Sequence, residues 1–203
     1  MWNHSGAWLQ RRIDANRYTE RVQNLAFPLR SAFIAIPLEG DSKHAFQAAL
    51  EVLRPHEEIL SLQSGQTPHL TLQFWPSLME IEYGQVLGQA AKIAAKAHPF
   101  SCKAESVDTF GTRGRDHVLF IHVPFSDALA RLRKLCPWPS EKPFHPHITL
   151  AHIRHPERFH RVKKRVMKDL ADVSFELPVS GVRLYAEIDG HKQMPLQDFV
   201  FAH

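Results

Sequence analysis

Pro68-His69-Leu70-Thr71-Leu72 recurs as Pro146-His147-Ile148-Thr149-Leu150, 78 residues further along a chain of 203. Both copies read as strands. Side chains of a strand alternate between its two faces. His69 and Thr71 therefore share one face, with Leu70 and Leu72 on the other, and His147 and Thr149 are set against Ile148 and Leu150 in the same way. Each copy buries an apolar side and presents an imidazole beside a hydroxyl on the opposite side. Two such strands lying next to each other bring both His-Thr pairs into one cleft.

Reading outward from the motifs, Ser31 to Pro37 is a strand of branched apolar residues. Asp41 or Ser42 caps a helix that runs to about Leu53 and ends before Pro55. The first motif strand, His69 to Phe74, is stopped by Pro76. A helix is expected over residues 79–97, a strand over 100–109, a strand over 118–123 and a short helix capped by Ser126. The second motif strand, residues 147–153, leads into a helix with Pro156 as its first residue. Residues 173–177, 182–188 and 196–201 close the chain as strands. The order is mixed α+β. The motif strands occupy comparable places in two halves, each followed by a helix, so two similar lobes with a cleft between them are expected. Residues 1–30 read as an N-terminal extension, with a possible helix over 7–25, and residues 31–203 as a single bilobal domain.

Composition narrows the class. Apolar residues make up 44% and charged residues 23%, the balance of a soluble globular protein. No stretch approaches the roughly 18 consecutive apolar residues of a membrane span, so no membrane partner is expected. The first 30 residues lack the continuous apolar core and cleavage site of a secretory signal. Cys102 and Cys136 are too few for a disulfide framework or a cysteine zinc site, which points to the cytoplasm. A net charge of +4 favours anionic partners, RNA or nucleotides among them.

Histidine titrates nearest neutral pH, and two of them divide general-base and general-acid work. Phosphodiester cleavage needs that division. One group deprotonates the attacking oxygen, and the other protonates the departing one on the far side of phosphorus. Threonine hydroxyls beside them donate to the non-bridging oxygens as charge builds there. His69, Thr71, His147 and Thr149 are therefore the candidate catalytic residues, and no cofactor is called for.

Pro68-His69-Leu70-Thr71-Leu72-Gln73-Phe74 and Phe144-His145-Pro146-His147-Ile148-Thr149-Leu150-Ala151 resemble the paired signatures of the 2H phosphoesterase superfamily. That group contains the bacterial RNA 2′,3′-cyclic phosphodiesterases, also called 2′–5′ RNA ligases. Phe110-Gly111-Thr112-Arg113-Gly114-Arg115 followed by Val118-Leu119-Phe120-Ile121 is similar to the family's loop and strand between the motifs. The resemblance spans residues 31–202. It implies a bilobal, pseudo-twofold α+β fold, with two antiparallel-sheet lobes, helices outside and a central groove lined by both pairs. It also implies metal-independent hydrolysis or transesterification of a 2′,3′-cyclic phosphate or a 2′–5′ linkage, with His69 protonating the leaving oxygen and His147 activating water. Such proteins often carry Arg five residues after the second motif histidine. Here that position is His152, and the first motif runs into Phe74-Trp75-Pro76 instead of Phe-Leu-Gly. Both departures bear on substrate preference.

Further substrate contacts are expected from Arg113 and Arg115, whose guanidinium groups suit phosphate, from Trp75 and Phe110 as stacking surfaces, and from His152. An exposed charged turn is the other reading of the arginines, and core packing that of Phe110. His145, His147, His152 and His155 fall within eleven residues. On a straight strand His152 lies opposite His147, with Glu141 and Glu157 as the nearest carboxylates, so no metal site is expected. The basic side of the helix after Pro156 (Arg158, Arg161, Lys163, Lys164, Arg165, Lys168) is read either as a track for an RNA backbone or as a solvated face. The expected partner is an RNA or nucleotide cyclic phosphate, bound by a monomer. A small cyclic nucleotide signal or ADP-ribose cyclic phosphate is the rival substrate, and a non-catalytic RNA-binding module the rival class.

Overall fold

A computed structural model describes residues 25–112, 115–139 and 143–202; the expected helix over 7–25 lies almost wholly outside these residues. The chain runs β1 (Leu29–Pro37), α1 (Gly40–Leu53), β2 (Leu60–Leu62), β3 (His69–Leu78), α2 (Glu80–Lys96), β4 (Phe100–Glu105) and β5 (Val107–Thr112). It continues with β6 (Arg115–His122), α3 (Asp127–Leu135), β7 (His147–Ile153), α4 (Pro156–Asp169), β8 (Ser174–Val179), β9 (Gly181–Ile188) and β10 (His191–Val200). The main sheet is antiparallel in the order β10-β9-β1-β3-β7-β6-β5, with β2 also paired to β7, while β4 and β8 pair separately.

This order is a pseudo-twofold repeat. The series β1-α1-β3-α2-β4-β5 is followed by β6-α3-β7-α4-β8-β9, with β2 added to the first copy and β10 to the end. Motif strands β3 and β7 lie at the centre, flanked by β1 and β6. β3 and β7 meet at a single residue pair, Leu70 opposite Ile148. Elsewhere β3 is tied to β1 and β7 to β6 along most of their lengths. The sheet is therefore two half-sheets that part on either side of one bridge.

The helices share one face of this sheet. Leu70, Leu72, Ile148 and Leu150 join a core with Phe46 of α1, Ile93 of α2, Leu132 of α3 and Phe159 of α4. The other face carries a smaller buried cluster of Phe33, Ala35 and Tyr185. Burying the large apolar side chains against the helices fixes which way each motif strand faces. A one-residue slip would turn both His-Thr pairs into the core.

Two local expectations are corrected, and one strand is added. β3 does not stop at Pro76 but runs to Leu78. Only β1 flanks that end, and the β1–β3 pairing skips the residue, so a missing N–H donor is tolerated there. The strand expected over 100–109 is two strands. Ser106, at φ 61°, turns the chain from β4, which pairs with β8, into β5, which pairs with β6. Strand β2, unforeseen because it is only three residues long, pairs with β7 beyond the central bridge.

Candidate active site

The register places both His-Thr pairs on the face opposite the helices. Leu70 and Ile148 point into the core. Continuing their antiparallel register sets His69 across from Thr149 and Thr71 across from His147. The imidazoles are then diagonal neighbours. In a regular ladder such neighbours lie ~7–8 Å apart, and here the strands diverge from the bridge.

Both imidazoles are held the same way. His69 Nδ1 lies 2.8 Å from the Thr67 carbonyl oxygen, and His147 Nδ1 lies 2.7 Å from that of His145. A carbonyl only accepts, so each Nδ1 carries the proton and donates. The neutral ring then keeps its lone pair on Nε2, the atom left for chemistry. The rings rest on aromatic surfaces. His69 stacks on Phe33 at 4.5 Å and lies 5.6 Å from Tyr185. His147 meets Phe110 at 4.9 Å and Phe120 at 5.5 Å, edge to face. The two floors are counterparts across the pseudo-twofold, since Tyr185 stacks on Phe33 and Phe110 on Phe120.

These floors govern the protonation states. Burial disfavours the charged ring. It pushes His69 down to about 4, against a backbone hydrogen bond that works the other way. It lowers His147 too, again against its hydrogen bond, this time to His145. In the unfolded chain His69 returns to the ordinary 6.5 and takes up a proton first as pH falls. Its contribution to stability is therefore complete above pH 6.5 and is lost as pH falls toward about 4. That loss is at most ~3 kcal/mol. Urea unfolding of the wild type and His69→Asn at pH 7 and pH 4.5 measures it. The wild type is expected to lose more stability than the variant between those values; equal losses would contradict the burial of an uncharged ring.

A β-bulge follows each motif and redirects the residues beyond it. Ile34 pairs with Gln73 and Ala35 with Thr71, which leaves Leu72 as an extra residue. Leu119 pairs with Ala151 and Phe120 with Thr149, which leaves Leu150 extra. Each extra residue stands three positions after its histidine, and each flips the alternation. Phe74 arrives on the groove face opposite Phe33 and is 50% exposed. Trp75 turns to the core face, where it packs edge-on against Trp138 at 5.4 Å, which corrects its expected stacking role. His152 pairs with Val118 and returns to the groove side, exposed, and not to the opposite face that a straight strand implies.

The remaining candidates divide. Phe110 lines the groove beside His147, even though core packing was the competing expectation. Arg115 sits at the exposed end of the β5–β6 hairpin, 3.5 Å from Glu157. Arg113 lies outside the described residues. The basic helix α4 belongs to the layer behind the sheet. Lys163 binds Asp116 at 3.0 Å, Arg158 binds Glu58 at 2.6 Å and Arg165 lies 3.6 Å from Asp169, so part of its basic side is ion-paired. Among the described residues no group of three or more His, Cys, Asp or Glu side chains is arranged to hold a metal ion. No helix among them is long and apolar enough to cross a membrane.

Two antiparallel half-sheets with a His-x-Thr strand on each side of their seam define a protein of the two-histidine phosphoesterase class. The chain belongs to the 2′-5′ RNA ligase superfamily, whose family model matches residues 41–190. It is 33% identical over 131 residues to the RNA 2′,3′-cyclic phosphodiesterase of Bacillus subtilis (strain 168), an alignment covering 59% of this chain and 69% of that protein. Among solved structures, TT0787 of Thermus thermophilus superposes with a TM-score of 0.65 at 23% identity, covering 85% of this chain and 100% of that one. E. coli LigT complexed with 3′-AMP gives a TM-score of 0.61 at 18% identity, over 87% and 99% of the two chains. At these identities the two structures speak to the fold.

Proposed function

We propose that this protein is a metal-independent phosphodiesterase that hydrolyses 2′,3′-cyclic phosphate ends of RNA or nucleotides. The observation that carries the reading is the matched pair of imidazoles on one face, each held through Nδ1 with Nε2 left over. With the phosphate over the seam, an uncharged imidazole takes a proton from water as the water oxygen bonds to phosphorus. The bond from phosphorus to the ribose 3′-oxygen breaks. The other imidazole, charged, gives its proton to that oxygen, and a 2′-monophosphate leaves. One ring ends charged and the other uncharged, so the protons balance. Thr71 and Thr149 donate to the non-bridging oxygens. A 5′-hydroxyl in place of the water makes a 2′–5′ linkage by the same chemistry, and the reverse reaction cleaves one.

The resemblance assigns the acid to His69 and the base to His147. Burial weighs more on His69, and in the free protein that ordering favours the reverse. The substrate's own negative charge raises both rings, and the near-symmetry of the site lets the pair share one proton in either arrangement. Phe74 and Phe110 offer apolar surfaces for a base. The name of the Bacillus subtilis relative and the positive net charge support the choice of substrate. Both pairs come from one chain, so the site is complete in a monomer. The free, buried Cys102 and Cys136 suit a reducing cytoplasm.

The test is turnover. Purified protein in EDTA is expected to convert 2′,3′-cyclic nucleotides to 2′-monophosphates at the rate seen without chelator. Loss of activity in EDTA would overturn the metal-free mechanism. Nucleic-acid binding without turnover of any phosphoester, in a panel that includes 2′–5′ oligomers and ADP-ribose cyclic phosphate, would make it a binding module.

A further inference from the structure

A side-chain clamp joins the end of the β9–β10 hairpin to the loop before the first motif. The hairpin turns at Asp189 and Gly190, both at positive φ, as a tight two-residue turn requires. Three residues past that turn, Gln193 is also in the left-handed region, at φ 59°, within an irregular stretch between His191 and Met194 where β10 holds one residue more than β9. Glycine occupies such a bulge position without strain. A glutamine there costs backbone energy, and a strained residue next to a candidate site invites the question of what its side chain does.

The side chain of Gln193 reaches both ends of the loop over residues 63–67. Thr67 Oγ1 donates to Gln193 Oε1 at 3.1 Å. Gln193 Nε2 donates to Gln63 Oε1 at 2.8 Å. Thr67 is the residue whose carbonyl holds His69 Nδ1. The Gln63 backbone N–H donates to the carbonyl oxygen of Leu150, the bulge residue of the second motif strand, at 2.8 Å. A continuous polar path therefore runs from His69 through Thr67, Gln193 and Gln63 to the strand that carries His147. β3 and β7 share one residue pair at the seam, and the three β2–β7 pairs that run up to Gln63 are the other ladder contact between this part of the chain and the second motif strand.

We propose that Gln193 is a positioning residue that sets where His69 stands relative to His147. It touches no substrate. It acts through the Thr67 carbonyl, which orients the His69 ring, and through Gln63, which anchors the loop to the partner motif. A misplacement of about 1 Å in a reacting group can cost on the order of 100-fold in rate. The inference rests on the phosphodiesterase reading for its kinetic consequence, but not for its structural one.

The deciding variant is Gln193→Gly, which relieves the left-handed backbone while deleting the clamp. A residue with a purely structural role would leave kcat alone. The clamp predicts a fall in kcat of about 10- to 100-fold on 2′,3′-cyclic AMP, KM within about threefold, and Tm within about 3 °C of wild type. Long-range 1H–15N spectra of the full chain report each imidazole's tautomer. His69 is expected to lose its fixed Nδ1–H form while His147 keeps its own. Thr67→Val breaks the same path from its other end. It should reproduce the fall, and the double variant should be no worse than about twofold below the poorer single; if Gln193→Gly does not fold, Thr67→Val carries the test alone. A folded variant with wild-type kcat, or with His69 spectra unchanged, overturns the proposal. A wild type that turns over no phosphoester sinks the functional reading alone, and the His69 spectra then decide the clamp.

Discussion

Replacing His69 or His147 with alanine is expected to lower kcat by about 10²- to 10⁴-fold, the range contributed by a positioned general acid or base. Each ring has one nitrogen tied to a backbone carbonyl and one left for the substrate. Removing a ring removes the proton path on one side of phosphorus. The two losses should not multiply, because the second ring does little once its partner is gone. The pH profile carries the same logic. kcat/KM requires one imidazole uncharged and the other charged in the free protein. With His69 near 4 and His147 lowered from 6.5, the bell should lie on the acid side of neutrality. The profile for kcat should sit higher, since the bound phosphate favours the charged rings. Rates of the two alanine variants within tenfold of wild type, or a profile that rises steadily through neutrality, would refute reciprocal roles for the pair.

Thr71→Val and Thr149→Val are expected to cost about 10²- to 10³-fold in kcat each, as the loss of a donor to a developing oxyanion does. Valine keeps the branched shape and removes only the hydroxyl. Thr71 lies opposite Ala35 and Thr149 opposite Phe120 in the ladder, and both are partly exposed on the groove face. Folding should therefore be little affected. Serine, which restores the hydroxyl, should recover most of the rate. Measuring kcat and KM for the valine and serine variants separates the alternatives. A rise in KM with kcat intact would mean that the hydroxyls bind the ground state and transition state equally. Failure of serine to rescue would show that the methyl group, and not the hydroxyl, matters.

The motif strands were legible because two constraints coincide in them. Period-two alternation identifies an extended segment, and an aliphatic residue on each side of the threonine fixes which face is buried. The helices announced themselves through spacing and boundary residues; Ser126, whose hydroxyl accepts from Leu129 N–H at 3.2 Å, caps α3 where expected. What failed did so for a common reason. His152 was placed by counting along a straight strand and Trp75 was read from its aromatic surface alone, and in each strand a bulge adds one residue that decides the face. Nothing in Leu72 or Leu150 marks them as the extra residues, because the bulge arises from how each strand fits its neighbour. Gln193 was invisible for a related reason. Its partners are Thr67 and Gln63, more than a hundred positions away.

Taken by itself, the amino-acid order determined that there are two apolar-backed strands, each presenting an imidazole and a hydroxyl, and that helices follow them. Those are properties of neighbours along the chain, set by side-chain alternation and by which residues avoid water. Tertiary structure alone decided that the two faces meet at one bridge, that Phe74 and not Trp75 joins the groove, and that a strained glutamine from the last hairpin reaches the loop ahead of His69. Register, bulges and long-range hydrogen bonds depend on how distant segments pack together, and no local pattern encodes that.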